Sequence, residues 1–180
     1  MRGKLIILMG LWLVSAAAAR ADDLLSDFLS ANDPIYEHIR VEQVISADTI
    51  LLENNEKIRL IGLKALPAPD PERSERDEFG FVVKSEQPFP GLEQQALRFA
   101  KNLLENKYVR LEFDTQKKDP HFLTLAYVFL KDNEIFVNAA ILQNGYASLH
   151  IRPPNTKYAP RLRQAYRQAR QDRKGIHGEY

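Results

Sequence analysis

Three short runs rich in β-branched residues follow one another early in the chain: Val41–Ile45, Thr49–Leu52 and Lys57–Leu63. Each is long enough for a strand, and Asn54-Asn55 supplies a tight turn between the last two. Further on, Tyr108–Asp114 alternates Val109, Leu111 and Phe113 with Arg110 and Glu112, the period of a half-buried strand. Thr124–Phe136 then reads as a hairpin turning at Asp132-Asn133. Helical spacing predicts three helices. Glu93–Asn106 groups Ala96, Phe99, Ala100 and Leu103, and Val137–Asn144 groups Val137, Ala140 and Ile141 before the stop at Gly145. Tyr158–Lys174 groups Leu162, Ala165, Tyr166 and Ala169, with Pro160 tolerable in the first turn. Five strands with helices inserted among them and after them predict an α+β fold: a five-stranded OB-type β-barrel with three helices packed at its side.

Residues 1–21 stand apart. Arg2 and Lys4 precede the apolar run Leu5–Val14, and Ala19-Arg20-Ala21 has the small-x-small pattern of a cleavage site, so a secretory signal peptide is expected. Leu5–Ala19 falls short of the roughly 20 apolar residues that a spanning helix needs, and no membrane anchor is expected after cleavage. The expected destination is the periplasm or the outside of the cell. Without residues 1–21 the chain carries 22 basic and 24 acidic residues, a net charge of −2. A protein that lives on phosphate contacts usually has a basic surplus, so the composition gives no support for strong nucleic-acid binding. The absence of cysteine leaves stability to packing rather than to disulfides.

Residues 22–38 form a short N-terminal segment in which Leu24, Leu25, Phe28 and Leu29 cluster at helical spacing and Pro34 ends any helix. The domain proper is expected over 39–178. It is interrupted at 64–90, where five prolines and the charged run Asp70–Glu78 predict a long excursion rather than a strand or helix. That loop is the candidate surface for a protein partner.

The wording of several segments, in order, carries more than the element count. VISADTI, IRLIGL, LEQQALRFAKNLLENKYVRLEFD, LTLAYVFL, VNAAILQNGYA, PPNTKY and a final basic helix ending in KGI resemble the thermonuclease (staphylococcal nuclease-like) family from about Ile39 to Gly178. The resemblance implies a five-stranded barrel with three helices. In typical members it implies calcium-dependent hydrolysis of DNA and RNA phosphodiesters, with calcium among carboxylates and a carbonyl. A glutamate there helps to activate water, and two arginines hold the phosphate and stabilise the transition state.

Carried over by position, these parts give a degenerate site. Asp48 matches the first metal carboxylate, although the family's preceding glycine is Ala47, and Arg59 matches the first arginine. The segment that usually reads Asp-Ala/Thr-Pro-Glu is Lys64-Ala65-Leu66-Pro67, which replaces the second metal carboxylate by Lys64 and the glutamate by Pro67. The Tyr-Gly-Arg motif is His121-Phe122-Leu123, so Leu123 stands for the second arginine. Where tyrosines should stack on a base, His150 is the one aromatic ring between Ala147 and Thr156. An ammonium about 4 Å from a calcium ion would be repelled by ~8 kcal/mol at an effective dielectric of about 20. Loss of a general base costs roughly 10²–10⁴ in rate, and loss of a transition-state arginine on the order of 10³–10⁵ by analogy with phosphoryl transfer.

Each surviving residue also has a plain structural reading. Asp48 lies in Ser-Ala-Asp-Thr, a turn composition in which aspartate bonds nearby backbone. Arg59 could pair with a carboxylate such as Glu93. The arginines of the last helix, Arg161, Arg163, Arg167, Arg170 and Arg173, read as a solvated face, and His121 and His150 have no paired ligand in sequence for a zinc site. The expectation is an exported thermonuclease-like protein without efficient nuclease activity, acting as a binding or interaction module and needing no cofactor. The alternative is a nuclease with a weakened or rebuilt site that uses Asp48, Arg59 and calcium and binds nucleic acid. Which residues would contact nucleic acid is not legible in the sequence.

Overall fold

Apolar residues of β1 (Ile39–Ser46) point inward at Ile39, Val41 and Val44, and two register irregularities let the strand curve against its partner β2 (Thr49–Leu52). The computed structural model describes residues 34–67, 74–76, 82–84 and 91–178. The expected signal peptide, most of the segment that follows it, and much of the 64–90 excursion lie outside the described residues. Pro34–Glu37 is a single 3₁₀ turn leading into β1.

Asn55, at φ 65°, closes the turn from β2 to β3 (Lys57–Leu60), with Asn55 N–H donating to Leu52 C=O at 2.9 Å. Strands β7 (Tyr108–Glu112) and β8 (Thr124–Leu130) complete a closed barrel in the order β1-β2-β3-β8-β7, in which β3 and β8 run parallel and the other pairs antiparallel. The barrel interior is filled by Ile39, Ile50, Leu52, Ile58, Leu60 and Tyr127, all essentially inaccessible. Helix α1 (Leu92–Leu104) lays Ala96, Ala100 and Leu104 against this core, with Phe99 and Leu103 partly buried beside them, and buries Leu92 at its start. Helices α2 (Val137–Gln143) and α3 (Ala159–Gln171) pack on each other, and α3 buries Ala159, Leu162, Ala165 and Ala169. The predicted five-stranded barrel with three helices is the observed fold.

Three sequence expectations change. The run Lys57–Leu63 is not one strand. At Gly62 the backbone takes φ +88°, and the chain leaves the barrel as β4 (Gly62–Ala65) to pair with β9 (Ala147–His150), a strand absent from the expectations above. A Cβ at Gly62 would lie 2.3 Å from Leu162 Cδ1, so glycine satisfies both the backbone and the approach of α3. Second, the expected hairpin at Asp132-Asn133 is a turn followed by one isolated bridge, Phe129 to Phe136, because Phe136 already leads into α2. Third, the 64–90 excursion is not free of strands: β5 (Ser74–Arg76) and β6 (Val82–Lys84) pair antiparallel, consistent with the extended preference of Val82 and Val83.

A polar cluster ties α3 to the barrel. The Glu112 carboxylate accepts from Arg110, from Lys157 Nζ at 2.6 Å and from Tyr158 OH at 2.7 Å. Burial opposes its ionisation, but the hydrogen bonds from Lys157, Arg110 and Tyr158 outweigh burial and hold its pKa at about 2. A carboxylate with a depressed folded pKa contributes stability that is complete above its ordinary value near 4.5 and is lost as pH falls towards 2. Glu112→Gln should therefore flatten the acid limb of stability between those values, removing on the order of 2–3 kcal/mol of pH dependence. Chemical denaturation at stepped pH measures this, and an unchanged acid limb would refute it.

Candidate functional site

The turn between β1 and β2 presents Asp48 into a cavity of about 500 Å³ at one end of the barrel. Arg59 reaches it from β3, Lys64 from β4, Asp119 and His121 from the β7–β8 connection, and His150 and Arg152 from β9 and the segment beyond it. These residues are far apart in sequence. The departure of β4 at Gly62 and its pairing with β9, which sets Lys64 opposite Ser148 and Gly62 opposite His150, brings them together.

Asp48 is held firmly. Its Oδ1 accepts from Ser46 Oγ at 2.7 Å and Thr49 Oγ1 at 2.9 Å, and its Oδ2 accepts from the Ala65 backbone N–H at 2.8 Å. It thus fastens the β1–β2 turn to β4, the kind of backbone bonding its turn composition predicts. Three of a carboxylate's roughly four lone-pair sites are used in this way.

Arg59 pairs with Asp119, not with Glu93: Nη1 lies 2.5 Å from Asp119 Oδ2. Asp119 is the centre of its loop. Its Oδ1 accepts from the backbone N–H of His121 at 2.8 Å and of Leu123 at 2.9 Å, and its side chain is only 7% exposed. That loop places Phe122 at φ +62° with 85% of its surface exposed. The guanidinium of Arg59 is incompletely used, since its Nε is buried and has no hydrogen-bond partner.

Asp48, Arg59 and Lys64 therefore share one cavity, whereas Pro67 and Leu123 lie outside its wall. Lys64 and Arg152 are exposed, and neither pairs with a carboxylate among the described residues. Burial pushes the His150 imidazole below its ordinary pKa, and the neighbouring charges of Arg152 and Lys64 push it the same way. Among the described residues no three of His, Asp and Glu come together as a metal-holding group. Sequence reasoning missed Asp119 and Arg152. Asp119-Pro120 is a turn pair that could have drawn attention to the first, but nothing local marks Arg152.

A closed, mixed five-stranded barrel with three helices, carrying an aspartate in the β1–β2 turn and an arginine on β3 beside a shared cavity, defines a staphylococcal-nuclease-like α+β protein. Comparison with known proteins agrees. A family model described as staphylococcal nuclease homologue matches residues 57–178. The thermonuclease of Staphylococcus hyicus is 36% identical over 147 residues, covering 82% of this chain and 78% of the relative. The thermonuclease of Staphylococcus intermedius is 35% identical over 150 residues, covering 82% and 80%. The chain belongs to the staphylococcal nuclease (thermonuclease) family.

Proposed function

We propose that this member of the thermonuclease family has lost efficient calcium-dependent phosphodiester hydrolysis and acts outside the cytoplasm as a binding module. The observation that carries the reading is Lys64, a cation in the cavity wall beside Asp48 at the position of the family's second metal carboxylate. Calcium takes six to eight oxygen ligands. Among the carboxylates of the described wall, Asp48 keeps one free lone-pair site and Asp119 is already bound to Arg59 and its own loop, while Lys64 brings an ammonium to the same wall. That donor set does not suit the ion, and no cofactor is assigned. The leader at 1–21 supports export to the periplasm or beyond.

A second reading keeps a slow nuclease, and what favours it is that Asp48 and Arg59 still share the cavity. One experiment separates the two. Hydrolysis of single-stranded DNA and of RNA is measured with calcium and with chelator, for the wild type, Asp48→Asn and Arg59→Ala. The expected outcome is no calcium-dependent cutting by the wild type above either variant. Calcium-dependent cutting lost in both variants would overturn the proposal and favour a rebuilt catalytic site.

A further inference from the structure

Helix α3 divides its exposed surface into two stripes of unlike chemistry. Gln164 and Gln168, with Arg161, line a groove against α2, where the Arg161 guanidinium lies 4.8 Å from the centre of the Phe136 ring. Arg163, Arg167 and Arg170 stand at i, i+4 and i+7, so they share one face of the helix, and all three are exposed. At about 1.5 Å of rise per residue they form a straight row about 10 Å long. The row belongs to neither the wall of the Asp48 cavity nor that of the α2–α3 groove. Helix α3 itself carries no acid. Asp172, the next residue, is taken by Lys174 Nζ at 3.4 Å and by Gln168 Nε2 at 3.0 Å, and among the described residues no acid pairs with any of the three arginines. The charge is felt locally: burial, and after it the charge of Arg170, hold the His177 imidazole below its ordinary pKa.

The sequence reads this helix as a solvated face, but a solvated face normally mixes both signs of charge. Of the 22 basic and 24 acidic residues after residue 21, six and one lie in 159–174, which leaves 16 and 23 elsewhere. A chain with an acidic remainder thus gathers its positive charge on one helix. Every cation within α3 is an arginine, whose planar fork matches phosphate oxygens better than an ammonium does. We propose that Arg163, Arg167 and Arg170 dock the protein onto an anionic phospholipid surface, with α3 lying along the plane of lipid phosphates. A protein partner fits less well, because protein interfaces centre on apolar and aromatic side chains. The exposed large apolar residues among those described are Ile45, Tyr108, Phe122 and Ile135, none of them on α3. A long flexible polyanion would also meet the acidic remainder of the chain. A planar surface meets only the row that faces it, since at about 0.1 M salt charge is screened within about 10 Å. The proposal concerns a face outside the Asp48 cavity and stands whether or not that cavity cuts nucleic acid.

The test is flotation of the chain freed of residues 1–21, which keeps every described residue, with phosphatidylglycerol vesicles and with phosphatidylcholine vesicles. Binding to phosphatidylglycerol alone is expected, and it should fade as salt rises towards about 1 M, where the screening length is about 3 Å. The triple variant Arg163→Gln/Arg167→Gln/Arg170→Gln should bind on the order of 100-fold more weakly, at about 5-fold for each arginine. Lys57→Gln/Arg98→Gln/Lys107→Gln removes the same charge from exposed positions off α3 and should weaken binding by less than about 5-fold. All six side chains are exposed, so both variants should keep the fold, which far-ultraviolet circular dichroism checks. No binding to phosphatidylglycerol vesicles, equal binding to both lipids, or equal loss in the two triple variants would overturn the proposal. A single-stranded oligonucleotide provides the rival arm. An oligonucleotide held through the same three arginines, with the vesicles left unbound, would assign the row to nucleic acid instead.

Discussion

Gly145→Ala is expected to destabilise the protein by about 3–5 kcal/mol, a large share of the roughly 5–15 kcal/mol that holds such a domain folded. Gly145 ends the turn after α2 at φ +69°, where an L side chain costs roughly 1–2 kcal/mol. The added Cβ would also lie 2.1 Å from the backbone carbonyl oxygen of Lys174, and backbone cannot swing aside as a side-chain tip can. Overpacking of this kind typically adds about 1–3 kcal/mol and occasionally more. The contact is reciprocal. A Cβ at Gly175 would lie 2.1 Å from the Gly145 carbonyl oxygen, and that oxygen accepts the Ile176 N–H at 2.9 Å. The two glycines let the chain beyond α3 close against the end of α2. Urea denaturation should show a lower midpoint with an unchanged slope, and a loss below about 1 kcal/mol would mean that the C-terminal turn detaches freely.

Asn138→Ala should cost about 3 kcal/mol for a different reason. Asn138 is fully buried at the start of α2, where its Oδ1 accepts the Val128 N–H at 2.9 Å and its Nδ2 donates to the Ile61 carbonyl at 2.8 Å. One amide thus links the helix to β8 and to the residue where the chain passes from β3 to β4. Removing it strands a buried donor and a buried acceptor, each worth roughly 1–3 kcal/mol. Ile61 C=O is next to the Gly62 departure, so the variant also loosens the strand that carries Lys64 into the cavity. Hydrogen exchange should report rapid loss of protection at the Val128 amide. A Val128 amide as slow as in the wild type would show that water or a shifted backbone had taken over the bond.

Much of the barrel is legible in the sequence because its signals are local. Alternation marks Tyr108–Asp114, an Asn-Asn pair marks the turn into β3, and helical spacing marks α1 and α3 within a few residues. Sequence reasoning missed β9, although Ala147–Arg152 alternates apolar and polar residues after Asn144-Gly145, because the run is short and its pairing with β4 is non-local. The same holds for the site. Asp48 and Arg59 can be placed by their neighbours in the chain, and the expectation that Lys64 stands where the family has a carboxylate comes from the same segment. That Arg59 turns to Asp119, 60 residues away, cannot be read there.

The sequence by itself determined the architecture and the family and drew attention to Asp48, Arg59 and Lys64, since each depends on periodicity, turn chemistry or order along the chain. Only the tertiary structure decided what surrounds those positions. It satisfies Asp48 with three donors, bonds Arg59 to Asp119 and leaves its buried Nε without a partner, and sets Lys64 and Arg152 in one wall, neither paired with an acid among the described residues. The physical reason is that charge and hydrogen-bond balance in a cavity is a sum over residues from separate strands and loops. No stretch of the chain contains that sum until folding brings its contributors within a few ångströms.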